Sequence, residues 1–68
     1  MNVKVIYWTT KQMYYAGFDI DAGSLWTIHK YGGYLIENSK QLDRHLQVLS
    51  RLEEIPLTAL TTQDAEEC

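Results

Sequence analysis

Residues 38–56 have the sequence NSKQLDRHLQVLSRLEEIP, which contains the clearest periodic pattern in the chain. Apolar side chains recur in it at the three- and four-residue spacing of one helical face. They are Leu42, Leu46, Leu49 and Leu52, with His45 among them and Val48 and Ile55 widening the face. Asn38 or Ser39 can cap the first free amide groups, and Pro56 lacks the donor that a continuing helix needs. The pattern predicts one amphipathic helix between these boundaries.

Three segments before this helix have the composition of β-strands, because β-branched and aromatic residues dominate them. They cover residues 3–10, 13–20 and 25–31. The loop between the second and third contains Gly23, which can adopt the positive φ that tight hairpins need. After the turn at Gly32 and Gly33, residues 34–36 form either a short fourth strand or an extended lead into the helix.

These elements predict an α+β fold in which an antiparallel meander of three or four strands carries a C-terminal amphipathic helix on one face. We expect residues 1–60 to form a single small domain and residues 61–68 to form a flexible acidic tail. Strict alternation along the strands predicts which sheet face lies beneath the helix. That face contains Val3, Val5, Tyr7, Tyr14, Ala16, Phe18, Ile20, Trp26 and Ile28.

The opposite sheet face is predicted to be apolar, whereas a solvated face of an antiparallel sheet is mostly polar. The protein-binding residues expected on it are Ile6, Trp8, Met13, Tyr15, His29 and Tyr31. Exposed apolar patches commonly mark contact surfaces. We therefore expect a non-enzymatic interaction module whose sheet face binds a protein partner or a second copy of the chain, as in a homodimer.

Two other interpretations of the same face stay open. The segment after Pro56 can fold back over it, or a β-bulge can change the register and bury Trp8 in the chain's own core. Aromatic side chains on a sheet can also stack on single-stranded bases, so a small nucleic-acid-binding domain is the alternative function. The charge pattern weighs against nucleic acid: residues 1–55 carry six basic and six acidic side chains, and the excess charge of −3 lies in the tail.

Enzymatic chemistry is not expected. The two histidines are sixteen positions apart, and the single cysteine, Cys68, is at the end of the tail, so no clustered metal-ligand set exists. No serine lies in a nucleophile-elbow motif. We expect no cofactor and no small-molecule substrate. The first residues lack the apolar region of a signal peptide and no apolar run is long enough to span a membrane, so a cytoplasmic protein is expected.

Overall fold

A computed structural model describes residues 3–65 of the chain. The described elements are β1 (Lys4–Trp8), β2 (Met13–Asp19), β3 (Gly23–Thr27), α1 (Ser39–Glu53) and β4 (Leu60–Asp64). Short 3₁₀ turns at Lys30–Gly32 and Leu57–Ala59 lie before α1 and β4. The four strands form one antiparallel sheet in the order β3-β2-β1-β4. The α+β class and the antiparallel sheet predicted from the sequence are thereby confirmed.

The helix is not the last element, because β4 follows it and pairs with β1 along its whole length, from Lys4 opposite Asp64 to Trp8 opposite Leu60. Residues 61–64 therefore belong to the sheet, which corrects their assignment to a flexible tail. The strand is mostly polar and occupies an edge, so alternation of apolar and polar residues does not reveal it. Residues 66–68, the end of the predicted tail with Cys68, lie outside the described residues.

The predicted helix boundaries are close to those observed. Asn38 caps the N-terminus, with its Oδ1 atom accepting hydrogen bonds from the amides of Lys40 at 2.8 Å and Gln41 at 3.4 Å. At the other end Glu54 adopts a left-handed conformation (φ 55°), and its amide donates to the carbonyls of Ser50 and Arg51. This cap ends the helix before Pro56 is reached.

The helix packs on the sheet face that was predicted to be free. Its residue Leu49 is 1% exposed and joins a core of Ile6, Trp8, Tyr15, Ile36 and Leu60. The prediction that α1 covers the Val5 and Tyr7 side is wrong. Both faces of β1 are apolar, so its sequence does not distinguish them, and Val5 is itself fully buried on the far side.

A bulge in β2 changes the alternation halfway along the strand. Tyr15 lies opposite Trp26, but Gly17 lies opposite Leu25, so one residue is left over between them. Gly17 has a φ of 120°, which residues with a side chain rarely adopt. Because of the extra residue, Phe18 points to the helix side of the sheet together with Tyr15, instead of to the opposite side.

Residues 34–36 form an extended lead into the helix with a single isolated bridge. The amide and carbonyl of Ile36 each exchange a hydrogen bond of 2.9 Å with Lys4, and the amide of Tyr34 donates to the carbonyl of Tyr15 at 2.7 Å. The segment thus lies between the start of β1 and the middle of β2. Direct pairing of β1 with β2 is confined to two residue pairs, Tyr7 with Tyr14 and Trp8 with Met13.

Candidate protein-binding surface

Three of the residues predicted to bind a partner are instead part of the chain's own core. Ile6 is fully buried, Trp8 is 7% exposed and Tyr15 is 3% exposed. The helix and Leu60 cover them, so the interpretation in which Trp8 is buried within the chain is the one the structure supports. Both rings are buried against the chain's own residues, so neither forms the exposed aromatic platform expected from the sequence.

The other three predicted residues are not brought together. Met13 is half-buried beside Trp8, where β1 turns into β2. His29 and Tyr31 lie beyond the end of β3, and Tyr31 is 82% exposed on the 3₁₀ turn. That turn leads into Gly33, which packs on Val5 at the face away from the helix. The predicted six-residue surface therefore does not exist as a unit.

Trp8 anchors an aromatic cluster under the helix. Its ring meets that of Trp26 edge-on at a centroid distance of 5.1 Å, and Tyr15 meets Trp26 at 5.6 Å. The ammonium group of Lys11 lies 5.3 Å from the Trp8 ring centroid, within the range of a cation–π interaction. The indole Nε1 of Trp8 is buried without a hydrogen-bond partner within residues 3–65. Packing of the ring in the core stabilises the fold by more than the unpaired N–H donor destabilises it.

An apolar surface lies where the helix meets the bulged half of β2. Phe18 is 57% exposed, Val48 is 48% exposed and Leu52 is 51% exposed. Together with Tyr15, Arg44 and His45 they line a concavity of about 420 Å³. We call this concavity the α1–β2 groove. Its position follows from the bulge, because the extra residue places Phe18 on the same side of the sheet as Tyr15.

A second concavity, of about 480 Å³, continues from the groove at the C-terminal end of α1. Phe18 and Leu52 line both, so these two side chains form the ridge between them. The floor of the second concavity includes Trp8 and Trp26. Volumes in this range are typical of sites that accept a ligand or a large side chain.

Polar side chains at the edge of the second concavity are already engaged with each other. The Ser24 hydroxyl donates a hydrogen bond to the Glu53 carboxylate, and the indole of Trp26 donates to the Ser24 oxygen at 3.0 Å. This chain of bonds fixes β3 to the last turn of α1. The Ser24 hydroxyl and the Glu53 carboxylate thus have a structural role in holding the helix on the sheet.

The helix side of the groove is basic. Arg44 and Arg51 are exposed on either side of Val48 and line a shallow depression of about 160 Å³ with Gln47. Within residues 3–65, neither guanidinium group makes a hydrogen bond or ion pair with another side chain. No carboxylate of the described residues therefore competes with a partner for these two arginines.

The titratable side chains of the described part of the chain form no metal-ligand cluster. Among residues 3–65, no cluster of three or more His, Cys, Asp or Glu side chains is placed to hold a metal ion. The His45 Nδ1 atom is 2.7 Å from the Gln41 carbonyl oxygen, a contact within its own helix. Burial, reinforced by the neighbouring Tyr34, raises the pKa of Tyr15, so its hydroxyl stays protonated at neutral pH.

Sequence reasoning missed the groove because it placed Phe18 and Leu52 in the core and Val48 at its edge. The available signal was Gly17 in the middle of a strand, since an isolated glycine there often marks a bulge. A bulge at that position puts Tyr15 on the same face as Phe18, whereas strict alternation places the two on opposite faces. The arginine pair could be predicted from the sequence. Arg44, Val48 and Arg51 are separated by four and three positions, which places them on one face of a helix.

Comparison with known proteins adds no relative to this description. No protein-family model matches the chain, and neither a curated protein nor a solved structure matches it. Within residues 3–65, no helix has the length and apolar character to cross a membrane.

Proposed function

We propose that this protein is a non-enzymatic interaction module that binds a partner protein, or a second copy of itself, in the α1–β2 groove. The observation that carries the proposal is the exposure of three contiguous large apolar side chains, Phe18, Val48 and Leu52. Exposed patches of this kind, adjoining a concavity and rimmed by polar groups, are characteristic of contact surfaces.

The energy balance of a small domain supports the proposal. The described core contains only seven buried hydrophobic residues, whereas ten large hydrophobic residues are at least 41% exposed. Fully burying one large apolar side chain is worth about 1.5–3 kcal/mol. A domain this small has little stability to spare, so covering the groove by a partner would stabilise it appreciably.

The shape of the surface favours a partner that inserts side chains into it over a partner that docks with a flat face. Two adjoining concavities, separated by the ridge of Phe18 and Leu52, can each accept one large apolar side chain. Apolar anchors seated in adjacent pockets are how a groove commonly binds a partner segment.

The experiment is a selection from a random peptide display library against the folded protein. We expect enrichment of peptides that also bind in solution, and we expect Val48→Glu and Leu52→Glu to abolish that binding. Ile28→Glu is the matched control, because Ile28 is 65% exposed and lines neither concavity. Circular dichroism establishes that each variant is folded.

Two results would refute the proposal. One is a selection that enriches no peptide when light scattering shows the protein to be monomeric. The other is a set of enriched peptides that bind the Val48→Glu and Leu52→Glu variants as tightly as the parent. Light scattering of the unliganded protein then separates the two kinds of partner, since a mass near twice 7.9 kDa that is lost in Val48→Glu identifies a second copy as the occupant.

A further inference from the structure

We propose that the segment bound in the α1–β2 groove is an acidic amphipathic peptide, with apolar side chains in the two concavities and carboxylates on Arg44 and Arg51. This inference rests on the proposed function and specifies the chemistry of its partner. The partner proposed is a segment of another protein, and binding of a second copy of the chain is an alternative result that the test can reveal.

The first argument is the placement of the two arginines. Arg44 precedes Val48 by four positions and Arg51 follows it by three, so all three side chains lie on one face of α1. They line the same shallow depression, beside the groove that Val48 shares with Phe18. A segment lying across Val48 therefore passes between two guanidinium groups.

The second argument is that the neighbouring carboxylates among residues 3–65 direct their hydrogen bonds elsewhere. Glu53 accepts the Ser24 hydroxyl, and the Asp19 carboxylate accepts the amide of Asp21 in its own turn. Within residues 3–65 no carboxylate bonds to either arginine. Guanidinium groups bind carboxylates through paired hydrogen bonds, so an acidic partner can supply a carboxylate to each of the two arginines.

The third argument concerns the far end of the site, where Lys11 lies over the Trp8 ring at the second concavity. The ammonium group adds a third cation to the rim. A partner with acidic residues on both sides of its apolar anchors would meet Lys11 at one end and the arginines at the other. Complementary charge of this kind sets the orientation and the rate of association more than its strength.

A peptide fits these features better than a nucleic acid does. The concavities between the cations are lined by phenylalanine, leucine, valine and tryptophan side chains, which a phosphate backbone cannot use. Residues 1–55 carry equal numbers of acidic and basic side chains, so the domain has no extended positive field for counterion release.

The test uses three fluorescein-labelled peptides with the same two leucines one helical turn apart. Their remaining positions are glutamate in the first, glutamine in the second and lysine in the third. By fluorescence anisotropy we expect the glutamate peptide to bind roughly tenfold more tightly than the lysine peptide. The difference should shrink as salt rises from about 0.05 M to 0.5 M, because exposed charges become screened.

Variants of the arginines make the test specific. Arg44→Gln combined with Arg51→Gln should remove the preference for glutamate, and Arg44→Glu combined with Arg51→Glu should reverse it. The glutamine pair guards against misfolding, since it adds no like charge beside Glu53 and Glu54. Val48→Glu should abolish binding of all three peptides.

Each other outcome overturns the inference in a recognisable way. Equal binding of the three peptides, lost in Val48→Glu, rejects an acidic partner while leaving the groove as a binding site. Binding of none of them rejects the acidic peptide, and the display selection then decides separately whether the groove binds any peptide. Salt-sensitive binding of labelled oligothymidylate that the arginine variants abolish assigns the surface to nucleic acid. A groove-dependent dimer that excludes all three peptides assigns it to self-association.

Discussion

The hydroxyl of Ser24, on the edge strand β3, donates a hydrogen bond to the carboxylate of Glu53 in the last turn of α1. The same oxygen accepts the indole N–H of Trp26. The bond joins two residues that are 29 positions apart in the sequence, and it lies at the rim of the larger concavity. The site therefore depends on a polar contact between the helix and the sheet.

Replacing Ser24 by alanine should lower the free energy of unfolding by about 1–2 kcal/mol, because it leaves the Trp26 indole and the Glu53 carboxylate without their partner. Urea unfolding monitored by tryptophan fluorescence measures the loss. Glu53→Gln is the milder companion, since its side-chain oxygen can still accept the hydroxyl. A Ser24→Ala protein as stable as the parent would show that this contact contributes nothing.

Tyr15→Glu should unfold the protein, whereas Tyr31→Glu should change its stability by no more than about 0.5 kcal/mol. The two tyrosines were predicted to share one face, but Tyr15 is 3% exposed in the core and Tyr31 is 82% exposed. A carboxylate at the first position would be buried without a partner. Circular dichroism distinguishes the two outcomes, and a folded Tyr15→Glu variant would contradict the packing described above.

Gly33→Ala should destabilise the protein by about 1–3 kcal/mol, because a methyl group there would lie 3.0 Å from Cγ1 of Val5 and 3.1 Å from the carbonyl oxygen of Lys30. In a Val5→Ala background the methyl clash with the side chain is relieved. The penalty for Gly33→Ala should then be smaller, as a double-mutant cycle by urea unfolding would measure. Equal penalties in both backgrounds would mean that the Val5 side chain does not oppose the methyl group.

Deleting residues 61–68 should abolish cooperative unfolding, since it removes four of the five pairs that β4 makes with β1. Val5 and Ile6 would then lie in a strand with an unpaired edge, and a domain with about 5 kcal/mol of stability cannot absorb that loss. Deleting only residues 66–68 keeps all five pairs and is the control. Thermal melting with an unchanged midpoint in the longer deletion would restore the prediction that residues 61–68 form a flexible tail.

The contact between Lys4 and Asp64 should make stability dependent on pH in the acid range. The hydrogen bond and charge of Lys4 hold the pKa of Asp64 below its ordinary value of 3.8. Because the folded-state pKa is the lower one, the stabilisation is fully present above pH 3.8 and is lost as the pH falls through the folded-state value. Asp64→Asn should be slightly less stable than the parent at neutral pH and equal to it in strong acid. A constant difference in urea midpoint across that range would contradict the assignment.

The helix was the most predictable part of the fold. Its period, its cap at Asn38 and its place before Pro56 are local properties, and the helix formed as those properties require. The sheet was less predictable, because the side chains of β1 alternate between two apolar sets and the sequence alone does not say which set the helix covers. A shift of one residue exchanges the two faces of a strand.

The candidate site was missed for a related reason. Phe18 was expected beneath the helix, but whether Tyr15 shares that side depends on a bulge next to Gly17, and a glycine only permits such a bulge. The strand that begins at Leu60 was not predicted either, because a polar edge strand has the same composition as a loop. Both features are settled by long-range pairing, which a local pattern does not contain.

The pairing of β1 with β4 has a consequence for how the protein is made. On the ribosome, β1 emerges early, but its neighbour at Leu60–Asp64 is translated more than fifty residues later. Until then one edge of β1 has no partner, and the Trp8 ring lacks the cover that Leu60 provides. Local hairpins can form during translation, yet the core closes only when the last strand arrives. This domain should therefore stay incompletely folded until residues 60–64 have been translated, with its aromatic cluster accessible to chaperones until then.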